Sequence, residues 1–423
     1  MSFPLGWWPL LSLLSACAPH PVRVAPAVSQ ARSADDFVNS VGLNVHLSYF
    51  RTTYGTGWAN ITRPRLEALG VRHLRDAGVV VASDGWMQTV YGRMTELARS
   101  GIRFTLYARL PAGEELGTVN GFSRLLQFGL PAIEGFEGLN EHDLTNRPGW
   151  IGEVERAQKT LYRAVKDDPR TRDLPVYGPS FGRAANARSV ANLEAWMDFG
   201  NIHPYPGGLM PLSNIQDHET KVRALMGAHP MVVTETGYHT AMKWRGEHPG
   251  VSEAAMGRYV PRLFLDYFAA GIDRTYLYEF LDEGTDQGQR EQNFGLLRAD
   301  GSEKPAYTSL KNLIGVLTDP GPTFTPGSLD YRVVGDTTGV NVILLQKRDG
   351  RFYIAVWQEV PSYDQSARIE TLVRARSLRV ELPRRSRLTI YQPVKSAEPT
   401  LSLQASSVDI QVPDSPVLVE IQP

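Results

Sequence analysis

Alternation of apolar runs with amphipathic stretches is the feature that most limits the folds open to this 423-residue chain. From about residue 41, a strand-like run is followed by a helical pattern, and this unit repeats eight times. The predicted strands are Gly42–Leu47, Val71–Arg75, Ile102–Tyr107, Ile133–Asn140, Pro175–Gly178, Asn201–His203, Met231–Thr234 and Arg274–Phe280. Eight β-then-α units predict an α/β fold, a (β/α)8 TIM barrel over residues 37–320. An open doubly wound sheet is the alternative, although the Gly-rich phosphate loop typical of that fold is missing after the first strand.

Helical patterns lie between these strands and after the last one. The predicted helices are Arg63–Leu69, Met87–Arg99, Gly121–Phe128, Ile151–Val165, Val190–Phe199, Gln216–Met226, Ala254–Ala269 and Pro305–Leu317. Pro261 lies inside one of these patterns and lacks a backbone N–H, so we expect it to kink or divide that helix.

The pattern changes after the Pro- and Gly-rich stretch at residues 319–322. Short strand patterns separated by turn signals follow, with no convincing helix between them. The predicted strands are Tyr331–Val334, Val340–Gln346, Phe352–Trp357, Ser377–Leu382, Arg387–Tyr391, Ser407–Val412 and Val417–Ile421. We therefore predict a C-terminal all-β sandwich domain over residues 325–423.

The N-terminus carries an export signal. Residues Phe3–Leu14 form an apolar run that is too short to span a membrane as a stable helix. The run ends in Leu-Ser-Ala-Cys17, which resembles the bacterial lipobox, and Cys17 is the only cysteine in the chain. We expect residues 1–16 to be a lipoprotein signal peptide and residues 17–36 a flexible tether. The predicted product is an exported cell-envelope lipoprotein, attached to the membrane only through Cys17; a plain signal peptide is the alternative.

Charge and motifs exclude several classes of partner. A formal net charge of -1 provides no general field for nucleic acid or an anionic membrane. His239 and His248 are not accompanied by a His-Glu-x-x-His helix or a cysteine cluster, so no metal site is expected.

Two glutamates end predicted strands on opposite sides of the barrel. Glu141 follows the fourth strand and Glu235 the seventh. Barrel enzymes carry their reacting groups at the C-terminal ends of the strands, so these two side chains can face each other across the mouth. Cleavage of a glycosidic bond with retention requires two carboxyls about 5–5.5 Å apart, one protonated and one ionised. Glu141 and Glu235 are therefore the predicted catalytic residues.

Other polar residues follow the strands and are predicted to bind the sugar. The residues predicted to line the cleft are His46, Tyr238, Glu279 and Asp282, and hydrogen bonding inside the barrel is the alternative for His46. Asn140 stands beside Glu141, where it suits a donor to the sugar hydroxyl next to the reacting carbon.

The motifs around the two glutamates resemble those of the clan-A retaining glycoside hydrolases, the cellulase-like superfamily. Residues 136–141, Phe-Glu-Gly-Leu-Asn-Glu, are similar to the acid/base motif on the fourth strand of that clan. Residues 234–237, Thr-Glu-Thr-Gly, are similar to its nucleophile strand. The layout is closest to family 39 or family 5.

The resemblance implies a role for each matching residue. Glu141 takes the place of the general acid/base and Glu235 that of the nucleophile. His203 and Tyr205, which end the sixth strand, match positions that hold these two groups. Arg75, which ends the second strand, matches an arginine that supports the nucleophile electrostatically; pairing with Glu137 is also expected.

We therefore predict a retaining glycoside hydrolase that cleaves O-glycosidic bonds of a poly- or oligosaccharide by double displacement, without a cofactor. Two alternatives stay open. A polysaccharide-remodelling transglycosylase would use the same two residues and differ in how its acceptor site excludes water. A non-catalytic carbohydrate-binding lipoprotein would be expected to lack one of the carboxyls, and both are present.

Overall fold

The computed structural model describes residues 28–79, 82–108 and 119–422. The predicted signal peptide, the lipid-bearing Cys17 and the tether up to residue 27 lie outside the described residues. Residues 28–36 differ from the predicted tether, because they form the strands Val28–Gln30 and Arg32–Ser33 and the beginning of the helix Ala34–Asn39. The Ser33 hydroxyl caps that helix by accepting the Asp36 N–H, and both strands pair with the C-terminal part of the chain.

Eight parallel strands form the predicted barrel. They are β1 Val41–Asn44, β2 His73–Gly78, β3 Arg103–Ala108, β4 Ile133–Leu139, β5 Val176–Tyr177, β6 Gly200–Ile202, β7 Met231–Thr236 and β8 Arg274–Leu277. The order of hydrogen-bonded strands is β5-β4-β3-β2-β1-β8-β7-β6. A parallel bridge between Tyr177 and Phe199 joins the two ends of this order, so the sheet closes into a barrel and the open-sheet alternative is excluded.

Helices surround the strands. The α-helices are Ala34–Asn39, Thr53–Thr56, Arg63–Leu69, Asp84–Arg99, Val119–Gly129, Trp150–Asp167, Ile215–Met226, Glu253–Ala269 and Pro305–Leu317. Single turns of other helix types are Trp58–Thr62 (π) and Leu130–Ala132, His142–Thr145, Ala184–Ser189, Glu194–Trp196, Pro211–Ser213 and Arg290–Asn293 (3₁₀). Among the described residues, none of the helices is both long and apolar enough to cross a membrane.

One predicted helix was wrong, and one of two expected effects of Pro261 is excluded. The predicted helix Val190–Phe199 is absent, and a 3₁₀ turn at Glu194–Trp196 takes its place. The Asn192 side chain accepts the Glu194 N–H, and the Leu193 N–H donates to Leu225, so these donors are drawn away from an α-helical ladder. Pro261 does not divide its helix: Glu253–Ala269 is continuous, and buried side chains on both sides of the proline hold it against the barrel.

The C-terminal part is all-β, as predicted, and its main strands belong to one sheet. These are β9 Arg332–Gly335, β10 Val340–Gln346, β11 Phe352–Gln358, β12 Arg376–Gln392, β13 Ser396–Val412 and β14 Val417–Gln422. Shorter strands are Ser328–Asp330, Tyr363–Asp364 and Ile369–Glu370. The patterns predicted as two strands, Ser377–Leu382 and Arg387–Tyr391, are one strand, because the ladder with β13 continues through a shift of register around Pro383.

Strand β11 explains how the sheet is held to the barrel. Its side chains alternate between two faces, as expected for a strand. Tyr353, Ala355 and Trp357 belong to the barrel's core cluster, whereas Ile354 and Val356 belong to a separate core within the C-terminal domain. The Trp357 indole N–H also donates to Asp266 on the helix Glu253–Ala269 at 2.9 Å. The sheet therefore packs against the helical side of the barrel through this face of β11.

Candidate active site

A cavity of about 540 Å³ opens at the C-terminal ends of the barrel strands. Of the predicted site residues, those that line this cavity are His46, Arg75, Asn140, Glu141, His203, Tyr205 and Glu235. They come from five different strands and the loops that follow, so closure of the barrel alone brings them together.

Glu141 and Glu235 face each other in this cavity. One carboxylate oxygen of each lies within 4.8 Å of the other. This upper limit on the distance between the nearest oxygens agrees with the spacing of about 5–5.5 Å between the carboxyls of retaining glycosidases. Glu141 has a left-handed backbone, with φ of 42°, and its N–H donates to the Ser180 hydroxyl at 3.2 Å. This turn directs the Glu141 side chain from the end of β4 into the cavity.

Both oxygens of Glu235 are held by donors. The Tyr205 hydroxyl donates to Oε1 at 2.7 Å, and Arg75 Nη1 donates to Oε2 at 2.9 Å. Hydrogen bonds from a cation and a hydroxyl favour the ionised carboxylate and fix its plane. Glu235 is therefore oriented as a nucleophile requires.

Arg75 is itself fixed by a buried network. It is 1% exposed and forms a two-pronged ion pair with Glu137, with N···O distances of 2.6 and 2.8 Å. This is the pairing expected from the sequence. Burial alone would lower the pKa of Arg75, but the charge and hydrogen bonds of Glu137 raise it well above its ordinary value. The guanidinium therefore stays positive beside Glu235 at any working pH.

Asn140 lies between the arginine and the cavity. Its Oδ1 accepts from Arg75 Nη2 at 2.6 Å and from the Ser180 hydroxyl at 3.3 Å. With the amide oxygen held in this way, the amide N–H₂ is left to donate toward a ligand in the cavity that Asn140 lines.

His203 connects Glu141 to the barrel interior. Its Nδ1 lies 2.8 Å from Glu141 Oε1, and its Nε2 lies 2.9 Å from the Thr234 hydroxyl. The single hydroxyl proton of Thr234 goes to one of two acceptors, Glu137 Oε1 at 3.1 Å or Asn201 Oδ1 at 2.9 Å. His203 Nε2 must therefore donate to Thr234. A neutral His203 then presents a bare Nδ1, which requires Glu141 to carry the proton in their shared hydrogen bond.

The two carboxyls influence each other electrostatically. Burial raises the pKa of Glu235, and the negative charge of Glu141 adds to this rise. Burial would also raise the pKa of Glu141, but the hydrogen bond and charge of a protonated His203 lower it below its ordinary value. Moving the shared proton from His203 to Glu141 removes both the repulsion of the Glu141 carboxylate and the attraction of the charged His203 from Glu235. The His203–Glu141 pair thus stores the proton that an acid catalyst needs.

Three of the predicted sugar-binding residues do not line the cavity. The Tyr238 ring is buried against Tyr259, and its hydroxyl donates to the Leu209 carbonyl. Asp282 forms a buried ion pair with Lys304 at 2.8 Å. Glu279 is fully buried behind the cavity wall, where Tyr54 donates to it at 2.9 Å. Each of these residues follows a strand end, but its loop directs the side chain inward. The side chain therefore packs against other elements and does not face the cavity.

The cavity also contains residues that sequence patterns did not single out. They come mainly from loops and include Tyr49, Arg183, Asn214, His218, Glu247, Tyr278, Arg290, Glu291 and Phe294. Tyr278 could have been found, because it lies within the strand predicted at Arg274–Phe280 and next to the strand-end residue Glu279. The other residues lie on loops whose paths cannot be predicted from a local sequence pattern.

Replacing Tyr205 with phenylalanine should lower kcat/KM by about 10- to 100-fold, the effect of losing one hydrogen bond to a charged group. The Glu235 carboxylate keeps Arg75 but loses the donor to its Oε1. Steady-state kinetics on an aryl glycoside measure the change. Tyr238→Phe is the matched control, because that hydroxyl donates to a backbone carbonyl outside the cavity; an equal loss in both variants would contradict the role of Tyr205.

No protein-family model and no curated protein matches the sequence, but solved structures match its fold. A family 39 glycoside hydrolase from Bacteroides cellulosilyticus WH2 gives a TM-score of 0.61 at 15% identity, covering 92% of this chain and 82% of that one. A glucosidase from Croceicoccus marinus gives 0.60 at 12% identity, covering 94% and 97%. An α-L-arabinofuranosidase from Thermotoga maritima, in complex with arabinose, gives 0.55 at 12% identity, covering 85% and 89%.

These identities are low, so the matches establish the fold and not the activity. The resemblance inferred from the motifs is confirmed at that level: the chain has a fold similar to that of clan-A glycoside hydrolases, including family 39. Coverage of most of this chain in each match includes both the barrel and C-terminal strands.

Proposed function

We propose that the protein is a retaining glycoside hydrolase that cleaves O-glycosidic bonds of a poly- or oligosaccharide. The observation that carries this proposal is the Glu141–Glu235 pair, with oxygens within 4.8 Å and a different set of partners on each carboxyl. Glu235 has a permanent cation and a hydroxyl as donors, whereas Glu141 shares a proton with a histidine. One carboxyl is thus suited to attack and the other to donate.

In the first step, Glu235 attacks the anomeric carbon and the bond to the leaving oxygen breaks. Glu141 transfers its proton to that oxygen, and the product is a glycosyl ester on Glu235. Arg75 and Tyr205 hold the carboxylate for attack and stay in contact with it as its charge is consumed. Because these donors stabilise the ionised group, the buried Glu235 can remain a nucleophile near neutral pH.

In the second step, the ionised Glu141 takes a proton from water, which attacks the same carbon and releases Glu235. Two inversions give net retention of configuration. His203 keeps its Nε2 proton on Thr234 throughout and exchanges only the Nδ1 proton with Glu141. The Asn140 amide N–H₂ is placed to donate to the sugar hydroxyl beside the reacting carbon, where charge develops in the transition state.

The membrane attachment is a separate part of the proposal. We infer that the protein is exported and anchored to a bacterial membrane through a lipid on Cys17, on the strength of the Leu-Ser-Ala-Cys motif alone. In this location the enzyme would meet polysaccharide outside the cytoplasm.

The loss of kcat/KM in Glu141→Ala should depend on the leaving group of the substrate. With a poor leaving group, kcat/KM should fall by about 10²–10⁴-fold, the usual contribution of general acid catalysis. An aryl glycoside with an activated leaving group, such as 2,4-dinitrophenolate, needs no proton and should lose far less activity in this first step. Added azide should replace water in the second step and give a glycosyl azide of retained configuration, identified by NMR.

The matched control for this experiment is Glu247→Gln, which alters another glutamate lining the same cavity. It should leave the dependence on leaving group unchanged. If Glu141→Ala reduced the rates of both substrates equally, Glu141 would not be the acid.

A further inference from the structure

A second cluster of metal-ligating side chains lies beside the catalytic pair. His46 follows β1, and Glu279 and Glu283 follow β8, which is the neighbouring strand in the barrel. His46 Nε2 lies 3.4 Å from Glu279 Oε2 and 3.7 Å from Glu283 Oε1. One ligand atom from each of the three residues lies within 4.8 Å of the others.

Glu279 lacks the partners that a buried carboxylate requires. Its side chain is 0% exposed, and its Oε1 has no hydrogen-bond partner among the residues that the structure describes. Within the described ranges, no lysine or arginine forms an ion pair with Glu279 or Glu283. An uncompensated carboxylate in such a place is strongly disfavoured, so a proton or a cation must balance it.

The spacing of the cluster fits a shared ion better than direct hydrogen bonds. Distances of 3.4 and 3.7 Å are longer than ordinary N–H···O contacts, which lie near 2.9 Å. Two ligands that each lie about 2.1 Å from a tetrahedral ion are roughly 3.4 Å apart. The Tyr278 hydroxyl, 3.3 Å from the same His46 nitrogen, is a further oxygen at this spacing.

A residue outside the cluster orients its buried member. The Tyr54 hydroxyl donates to Glu279 Oε2 at 2.9 Å and accepts the Leu281 N–H at 3.2 Å, so its direction is fixed. Supporting hydrogen bonds of this kind hold the ligands of metal sites in place.

The catalytic trio Glu141, His203 and Glu235 is also compact. Arg75 and Tyr205 occupy both oxygens of Glu235, and the positive Arg75 would repel an ion there. Among the described residues, the cluster of His46, Glu279 and Glu283 has a buried unpaired oxygen and no ion pair with lysine or arginine.

We propose that His46, Glu279 and Glu283 bind one divalent cation of the Zn²⁺ or Mn²⁺ class. One imidazole with two carboxylates suits these ions better than Ca²⁺ or Mg²⁺, which prefer oxygen ligands alone. His46 lines the cavity, so remaining coordination positions are open to water from that side. The ion would join the end of β1 to the loop after β8 and stiffen this wall of the cavity. This proposal departs from the expectation, drawn from the sequence, that no metal would bind, because the three ligands are too far apart in sequence to form a recognisable motif.

The test is metal uptake by the tag-free full chain after chelator treatment and dialysis against Zn²⁺ or Mn²⁺. Elemental analysis should find about one equivalent of one of these ions in the wild type, and added ion should raise its Tm. Glu283 is partly exposed, so Glu283→Gln should fold, and its affinity for the ion should fall by about tenfold or more. Glu247→Gln, which alters another glutamate lining the cavity, is the matched control and should bind as the wild type does.

Glu235→Gln tells the two clusters apart and should keep the ion. Loss of uptake in that variant, with retention in Glu283→Gln, would place the ion at the catalytic pair and overturn the proposal. The proposal also fails if the wild type takes up neither ion. His46→Asn provides a second variant, judged by circular dichroism for folding and by the same uptake, if Glu283→Gln does not fold. None of these readouts depends on glycosidase activity.

Discussion

Glu235→Gly should lower kcat/KM by about 10⁵-fold on every glycoside that the wild type cleaves, whatever the leaving group. Losing a catalytic nucleophile typically costs this much, and an activated leaving group cannot substitute for the attacking carboxylate. Glycine also leaves a small space beside Arg75 and Tyr205, where the carboxylate oxygens are held. Azide added to this variant should enter that space, attack the anomeric carbon directly and give a glycosyl azide of inverted configuration. Product analysis by NMR distinguishes the two anomers.

Comparison with Glu141→Ala distinguishes the nucleophile from the acid/base, because azide should give opposite anomers of the glycosyl azide in the two variants. Glu291→Gln is the control for loss of a cavity carboxylate that has no role in the chemistry. An inverted azide from the Glu141 variant and a retained one from the Glu235 variant would mean that the two roles are exchanged.

Arg75→Met should have the largest effect on stability, at about 3–5 kcal/mol, because it leaves the fully buried Glu137 without its counter-charge. The same change removes the cation on Glu235, so we expect activity to fall as well. Denaturant titration measures the first effect and steady-state kinetics the second. Arg183→Met is the matched control, since that cavity arginine is exposed and its loss should shift stability by less than about 0.5 kcal/mol.

A double variant separates the two roles of Arg75. In Arg75→Met/Glu137→Gln the unpaired buried charge is gone, so stability should recover much of its loss. Activity should stay low, because Glu235 still lacks its cation. Recovery of activity together with stability would show that Arg75 acts only through the fold.

The barrel could be predicted because its signal is periodic and repeated. Each strand needs an apolar run and each helix an amphipathic pattern. A wrongly predicted helix such as Val190–Phe199 does not change the number of strands. Closure then follows from topology, and it places the strand-end residues Glu141 and Glu235 in one cavity. Alternation along β4 likewise placed Glu137 on the same side as Glu141 and within reach of Arg75.

The predictions of cleft-lining residues were wrong where the direction of a side chain depends on the path of a loop. Tyr238, Glu279 and Asp282 are next to strand ends, yet they pack against Tyr259, Tyr54 and Lys304 instead of facing the opening. Pairing between distant segments was equally hidden. The strand Arg32–Ser33 pairs with β10, more than 300 residues away in the sequence. A segment of two residues contains no pattern from which this partner could be predicted.

The most direct test of the central claim is to trap the covalent intermediate on Glu235. A screen of aryl glycosides first identifies the sugar, and the matching 2,4-dinitrophenyl 2-deoxy-2-fluoroglycoside is then incubated with the wild type. The fluorine slows both steps, and the activated leaving group speeds the first step alone, so the glycosyl-enzyme should accumulate. Mass spectrometry of the intact protein should show one added fluorosugar, and peptide mapping should place it on Glu235. A label on any other carboxylate, or turnover to product of inverted configuration, would contradict the mechanism.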